Sequence, residues 1–221
     1  MKLLIENTEA ELGEGIFLTK DVAQILNLPY PRVRYWMNEM WSSRFGHGRL
    51  YAFGDNRNKA INFYTLIEFY TFSQLRLKGV SAKKIKEVHD CIAKDLKTPY
   101  PFAQNVRTDG RGVWYEQLGE LVKADRKRQI DLKKLLEPFL HRIDFGKYGI
   151  AERYFPLDKS KNIVVDPKRQ FGQVTVAGRN IRADIIFKLH LGGESIGNIC
   201  TLYDLKVPQV RDAIRFYKTA A

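Results

Sequence analysis

Apolar positions along this 221-residue chain change their period several times, and each change marks an element. Val22, Ala23, Ile25 and Leu26 recur at helical spacing and predict a helix over Thr19–Leu26. Thr19 is expected as its N-cap, and Asn27, which tolerates a left-handed backbone, as its stop. A second helix is predicted from Pro31, whose missing amide hydrogen costs nothing in a first turn. Val33, Trp36 and Met37 fall on one side of it, with Arg32, Arg34 and Tyr35 on or near the other.

Two patches of strand character follow, residues 49–53 and 60–63. They flank Gly54, Asp55, Asn56, Arg57 and Asn58, a composition that favours a tight hairpin. A helix rich in Leu, Ile, Phe and Tyr is expected over residues 64–77, with Gly79 closing it. Ser81 opens another helix, in which Ile85, Val88, Ile92 and Leu96 share one face. Pro99 and Pro101 end it.

Beyond residue 97 the pattern weakens. Asp109-Gly110 signals a hairpin, and Val113, Tyr115 and Leu118 approximate strand alternation. A helix is expected over residues 131–142, kinked or broken at Pro138. Residues 144–162, with Gly146, Gly149 and Pro156, read as loop. The last segment reads as a short strand, a strand or loop, and helices over 182–191, 195–203 and 207–218. Gly192-Gly193 stops the first of these helices, Ser195 opens the second, and Pro208 lies in the first turn of the third. The expected architecture is mainly α with small β elements, an α+β chain. It divides into an N-terminal winged helix-turn-helix (1–96), a middle hairpin and helix connector (97–160), and a C-terminal three-helix, helix-turn-helix-like unit (161–221).

Composition adds a partner class. The chain is 44% hydrophobic and 12% aromatic, enough for a packed core, so it is not a disordered tail. Lys and Arg number 37 against 25 Asp and Glu, a formal charge of +12 that favours a polyanionic partner. Cys91 and Cys200 are far apart and in no metal-ligand spacing, and are expected as buried thiols in a reducing compartment. The N-terminus has no signal-peptide pattern, and no apolar run reaches the roughly 20 residues of a membrane span. A cytoplasmic protein without membrane association is expected.

Two short packed helices followed by a basic hairpin describe a reader of double-stranded DNA. Arg34 and Tyr35 are expected at the groove and backbone, and Tyr30 and Arg32 at base edges, where arginine pairs two-pronged with guanine. Arg49, Tyr51, Arg57 and Lys59 belong to the wing, which sets cations against phosphates. Trp36 is expected in the core. His47, His89, His141 and His190 lie in separate segments without metal-ligand spacing. No nucleophile stands beside a base, and no phosphate loop follows Gly192-Gly193. Neither catalysis, metal nor cofactor is therefore expected.

Residues 19–96 resemble the winged-helix domain of MerR-type transcription regulators. The matching pieces are LTKDVAQILNL, RVRYW, GRLYAF and the helix pair joined by LRLKGVSAKKIKEV. The resemblance implies DNA contact by Arg34 and Tyr35 on the recognition helix and by Arg49 and Tyr51 on the wing. Thr19 and Lys20, opening the first helix, complete the expected set. The chain departs from that family in Trp36, where many members have a second tyrosine, and in a longer wing. Neither a metal-sensing cysteine pattern nor a long dimerisation helix follows.

The last sixty residues resemble the four-three-three domain-of-unknown-function family, found in VapB-type antitoxins. The match runs through Val165-Asp166-Pro167, Gly172, Val176, Gly178 and Ile181. It continues through Gly193-Glu194-Ser195, Ile199, Tyr203, Val210, Ala213 and Ile214. Val174 replaces a common proline there, and Arg179-Asn180 a threonine-arginine pair. The combined arrangement is similar to a subgroup of VapB-like antitoxins and implies binding to the chain's own promoter and neutralisation of a PIN-like ribonuclease toxin; a homodimer is expected because palindromic sites mirror two-fold symmetry. A MerR-like regulator without a toxin, and a protein–protein adaptor on degenerate helix-turn-helix folds, remain the alternatives.

Overall fold

The structure, a computed structural model, describes residues 14–45, 51–54, 58–104, 107–108, 111–112 and 140–219. The chain enters through β1 (Phe17–Leu18), which pairs antiparallel with β2 (Ala60–Ile61) in the register Phe17↔Ile61 and Leu18↔Ala60. Helix α1 (Thr19–Leu26) follows at once. Its cap is Leu18 rather than the expected Thr19: the strand holds Leu18 extended, and the Asp21 carboxylate accepts the Leu18 amide hydrogen at 3.0 Å. A side-chain acceptor three residues into the helix replaces the hydroxyl cap.

Helix α2 (Tyr30–Tyr35) runs without a break into a π-helical turn, Trp36–Met40, and then α3 (Trp41–Arg44). Pro31 occupies its second position, with Pro29 as cap. Within the wing Phe53 bridges to Ala60, and Gly54 has a φ of +84°. A Cβ at Gly54 would fall 2.6 Å from the Asn58 carbonyl oxygen, so the turn requires glycine there.

Helix α4 (Phe63–Leu77) begins one residue earlier than expected, because the Asn62 side chain accepts the Thr65 amide hydrogen at 2.9 Å. It is apolar on nearly all sides and buried accordingly. Trp36 meets Phe69 and Phe72 edge-on at 5.4 and 5.3 Å between ring centroids, and Trp41 stacks on Phe45 at 4.3 Å. On the other side Tyr70 lies 4.7 Å from the Tyr154 ring. Helix α5 (Ala82–Leu96) starts at Ser81, whose hydroxyl accepts the Lys84 amide hydrogen, and buries Ile85, Val88 and Ile92. Left-handed Lys97 ends it before the prolines, and Pro101–Ala103 forms a 3-10 turn.

Strands β3 (Arg107–Thr108) and β4 (Arg111–Gly112) pair across residues 109–110, the expected hairpin. The expected strand positions 113, 115 and 118 and the kinked helix at Pro138 lie outside the described residues. The expected loop over 144–162 is corrected. Strands β5 (Ile143–Phe145) and β6 (Ala151–Tyr154) form a hairpin there, closed by Gly146 donating to the Ile150 carbonyl at 2.8 Å. They continue into β7 (Ile163–Val165) and β8 (Val174–Val176) as one antiparallel meander. That sheet crosses residue 160, so the connector and the C-terminal segment share it.

Helices α6 (Ala183–Leu191), α7 (Ile196–Tyr203) and α8 (Val207–Thr219) complete the chain. Val210, Ala213, Ile214 and Phe216 of α8 are buried. The segment before β1 touches the segment before β8 directly. Ile16 donates to the Phe171 carbonyl at 2.9 Å, and a Cβ at Gly172 (φ +84°) would sit 2.5 Å from the Phe17 ring. One buried apolar cluster therefore runs from Phe17 to Phe216.

Two expectations about buried groups change. Cys91 is exposed and Cys200 half-buried, because Cys91 falls off the Ile85–Val88–Ile92 stripe of α5. His89, in contrast, is 1% exposed, and its Nε2 lies 3.1 Å from Oε2 of the fully buried Glu68, off the line of a good hydrogen bond. Glu68 Oε1 also accepts the Phe102 amide hydrogen at 2.7 Å. Burial raises the Glu68 pKa above its ordinary 4.5, against the lowering pull of His89.

The folded protein accordingly holds this proton to higher pH than the unfolded chain does. The carboxyl's contribution is complete below the ordinary glutamate value and declines as pH rises through the raised folded value. Urea unfolding of wild type and Glu68→Gln across that range should show wild type losing ground to the variant with rising pH; a gain would contradict a raised folded value. Trp36→Ala should cost about 3–5 kcal/mol in the same measurement.

Candidate nucleic-acid interface

The surface begins at a turn. Asn27 adopts φ 50°, ψ 52°, and Leu28 donates to the Ala23 carbonyl at 2.9 Å, closing α1. The chain then reverses within Leu28 and Pro29, and the Arg32 amide donates to the Pro29 carbonyl at 3.0 Å to start α2. The left-handed residue is what allows two helices to meet with so short a link. Val22, Ile25 and Leu26 of α1 and Val33, Trp36 and Met37 of α2 and the π turn point inward. The same phase puts Tyr30, Arg32, Arg34 and Tyr35 outward.

Tyr30 and Tyr35 are 50% and 44% exposed, unusual for such large apolar bodies. Lys20 is exposed at the start of α1, and Thr19 beside it is half-buried. Lys20, Gln24, Asn27, Pro29 and Tyr30 line an open hollow of about 550 Å³ over the turn. Among the described residues no carboxylate forms a salt bridge with Arg32 or Arg34, while Lys20 acts electrostatically on the neighbouring Asp21 carboxylate.

The wing set divides. Arg49 and Arg57 lie outside the described residues. Lys59 is half-buried beside the Phe53–Ala60 bridge. Tyr51 is only 6% exposed, and its hydroxyl donates to the Pro99 carbonyl at 2.6 Å. Its ring also meets Trp41 and Tyr100 edge-on. Tyr51 thus fixes the wing to the body instead of presenting itself to a duplex. Sequence alone did not separate these roles, since a strand residue can face either way. Arg44, exposed in the last turn of α3, is a further cation outside the expected set.

His89 is a core residue, His141 is exposed and His190 is half-buried; His47 lies outside the described residues. Among the described residues there is no group of three or more His, Cys, Asp or Glu side chains that could hold a metal ion. No described helix is long and apolar enough to cross a membrane.

Residues 163–217 match the family model described as "Protein of unknown function (DUF433)". The chain is 27% identical over 166 residues to "Putative antitoxin VapB45" of Mycobacterium tuberculosis, covering 69% of each chain. It is 35% identical over 78 residues to the same organism's "Uncharacterized protein Rv2308", covering 35% of this chain and 32% of that one. The crystal structure of Rv2018 from Mycobacterium tuberculosis shares the fold, with a TM-score of 0.68 over 93% of this chain and 98% of that one at 18% identity.

The two faces of α2 and its continuation predict opposite mutational behaviour. Arg34→Ala should leave unfolding free energy within about 0.5 kcal/mol of wild type, as exposed substitutions do. Met37→Ala should cost about 2–5 kcal/mol. Denaturant titration of both variants checks the phase.

Proposed function

We propose that the chain is the antitoxin of a type II toxin–antitoxin pair, which binds double-stranded DNA at its own promoter and neutralises a PIN-like ribonuclease toxin. The observation that carries the DNA reading is the row of Arg32, Arg34 and Tyr35 standing clear of the body on the helix after the Asn27 turn. Guanidinium groups on such a helix suit phosphates and guanine edges. The formal charge of +12 supplies the long-range attraction.

On this reading α1 crosses the backbone with Lys20 near a phosphate, and α2 enters the major groove as in MerR-like winged helices. Lys59 of the wing adds a cation there, and Arg49 and Arg57 are assigned to the same contact from the sequence alone. Tyr51 holds the wing in place. A homodimer would match a palindromic operator. The toxin partner is supported by the likeness to "Putative antitoxin VapB45" and by the match over residues 163–217. The protein works without catalysis of its own, by occupying DNA and covering its partner, in the cytoplasm.

Binding to a promoter duplex should weaken steeply with salt as counterions are released, and Arg34→Ala should lower affinity about tenfold at fixed salt. A shallow salt slope with an unchanged Arg34→Ala affinity removes the DNA reading. Co-expression with the product of the adjacent gene should give a stable complex without ribonuclease activity. If that product neither co-purifies nor degrades RNA alone, the antitoxin reading falls, and a DNA-binding regulator without a toxin stands in its place.

A further inference from the structure

The α1–α2 turn occurs twice. Adding 177 to each residue number from Thr19 to Met37 gives Ile196 to Ile214, which is α7, its turn and the first part of α8. Leu28, Pro31, Val33 and Arg34 map onto Leu205, Pro208, Val210 and Arg211, identical in each case. Asn27 maps onto Asp204, and both residues have φ 50° and ψ 52°.

The hydrogen bonds repeat with the residues. Leu28 donates to Ala23 O at 2.9 Å, and Leu205 to Cys200 O at 3.0 Å. Arg32 donates to Pro29 O at 3.0 Å, and Gln209 to Lys206 O at 2.9 Å. Burial repeats at three pairs, Val22 and Ile199, Val33 and Val210, and Met37 and Ile214, while Ile25 is buried and its equivalent Leu202 exposed. An eight-residue helix, a left-handed stop, a leucine against the core and a second helix with proline at its second position therefore form two copies of one device.

Arg211 is exposed where Arg34 is exposed, and Arg215 is exposed one turn further on, at the position of Asn38. No carboxylate among the described residues pairs with either arginine. The nearby acids are occupied. Arg179 Nη2 bonds both Oδ2 and the carbonyl oxygen of Asp204 at 2.9 Å, and Asp212 Oδ2 accepts the Asn162 backbone and side-chain amides at 3.0 and 2.7 Å. Residues 161–221 carry ten Lys and Arg against five Asp and Glu, so this end of the chain shares the basic surplus.

We propose that α7 and α8 form a second duplex-contacting unit, which sets Arg211 and Arg215 against the phosphates or groove edge of double-stranded DNA. The inference rests on reading the first pair as a duplex reader, carried over through the equivalence of Arg34 and Arg211. Each chain then holds two helix-turn-helix contacts.

The test uses the full chain and a duplex from its own promoter, with fluorescence anisotropy at several potassium chloride concentrations. Arg211→Ala/Arg215→Ala should bind about tenfold or more weakly than wild type, with the log–log salt slope reduced by about two. The charge-conserving Arg211→Lys/Arg215→Lys should restore most of that slope. Thermal melting controls for folding, which these exposed positions should leave unchanged.

Loss on Arg34→Ala with full affinity and slope in the double variant overturns the second unit and leaves the first reading standing. Loss in the double variant alone supports the second unit and removes the first reading. If neither variant changes binding, both fall. A double variant that loses co-purified toxin while keeping wild-type DNA affinity also overturns the proposal.

Discussion

The packing of two tryptophans against helix α4 holds the rest of this structure in place. Trp36 and Trp41 sit on successive turns of one helix and both reach Phe69 and Phe72. That contact fixes the rotation of the helix carrying Arg32 and Arg34, because the guanidinium groups point outward only while the indoles point inward. The π-helical turn at Trp36–Met40 is where both indoles are accommodated: the widened turn shifts the phase so that Trp36, Met40 and Trp41 are all buried. Aromatic pairs of this size account for several kcal/mol beyond what the short helices could supply alone.

Helix α4 also carries the packing across the molecule. Its far side meets Tyr154 of the four-stranded sheet, and that sheet leads through β7 and β8 to the three terminal helices. Glu68, at its centre, joins α4 to α5 through His89 and to the 3-10 turn through the Phe102 amide. A charge-capable pair in so dry a place stabilises little by itself, but loss of one partner strands the other. The N-terminal and C-terminal segments are thus parts of one packed body, with Gly172 lying so close to the Phe17 ring that no Cβ would fit between them.

Much of this was legible in the sequence because local chemistry decided it. Asn27 announces a left-handed stop, Ser81 and Ser195 announce caps, Gly192-Gly193 a helix end, and the apolar face of α5 its buried stripe. What stayed illegible depends on long-range pairing. The hairpin of β5 and β6 rests on strands of three and four residues, too short for a period to emerge. Glu68 and His89 meet across two helices. The burial of Tyr51 follows from a hydrogen bond to Pro99, 48 positions away. The site was legible in its helices, where one face must be apolar, and illegible in its wing, where alternation does not say which face is inside. The doubled turn is visible in the residues only once the shared left-handed geometry shows which positions to compare.

The central claim is that the outward face of the helix beginning at Tyr30 lies against DNA. Hydroxyl-radical footprinting of the promoter duplex by the full chain at low salt tests it most directly. The account predicts protected backbone blocks, at least one of which disappears with Arg34→Ala while the variant remains folded. Cleavage that is uniform with and without the protein, or a footprint that Arg34→Ala leaves intact, would contradict it.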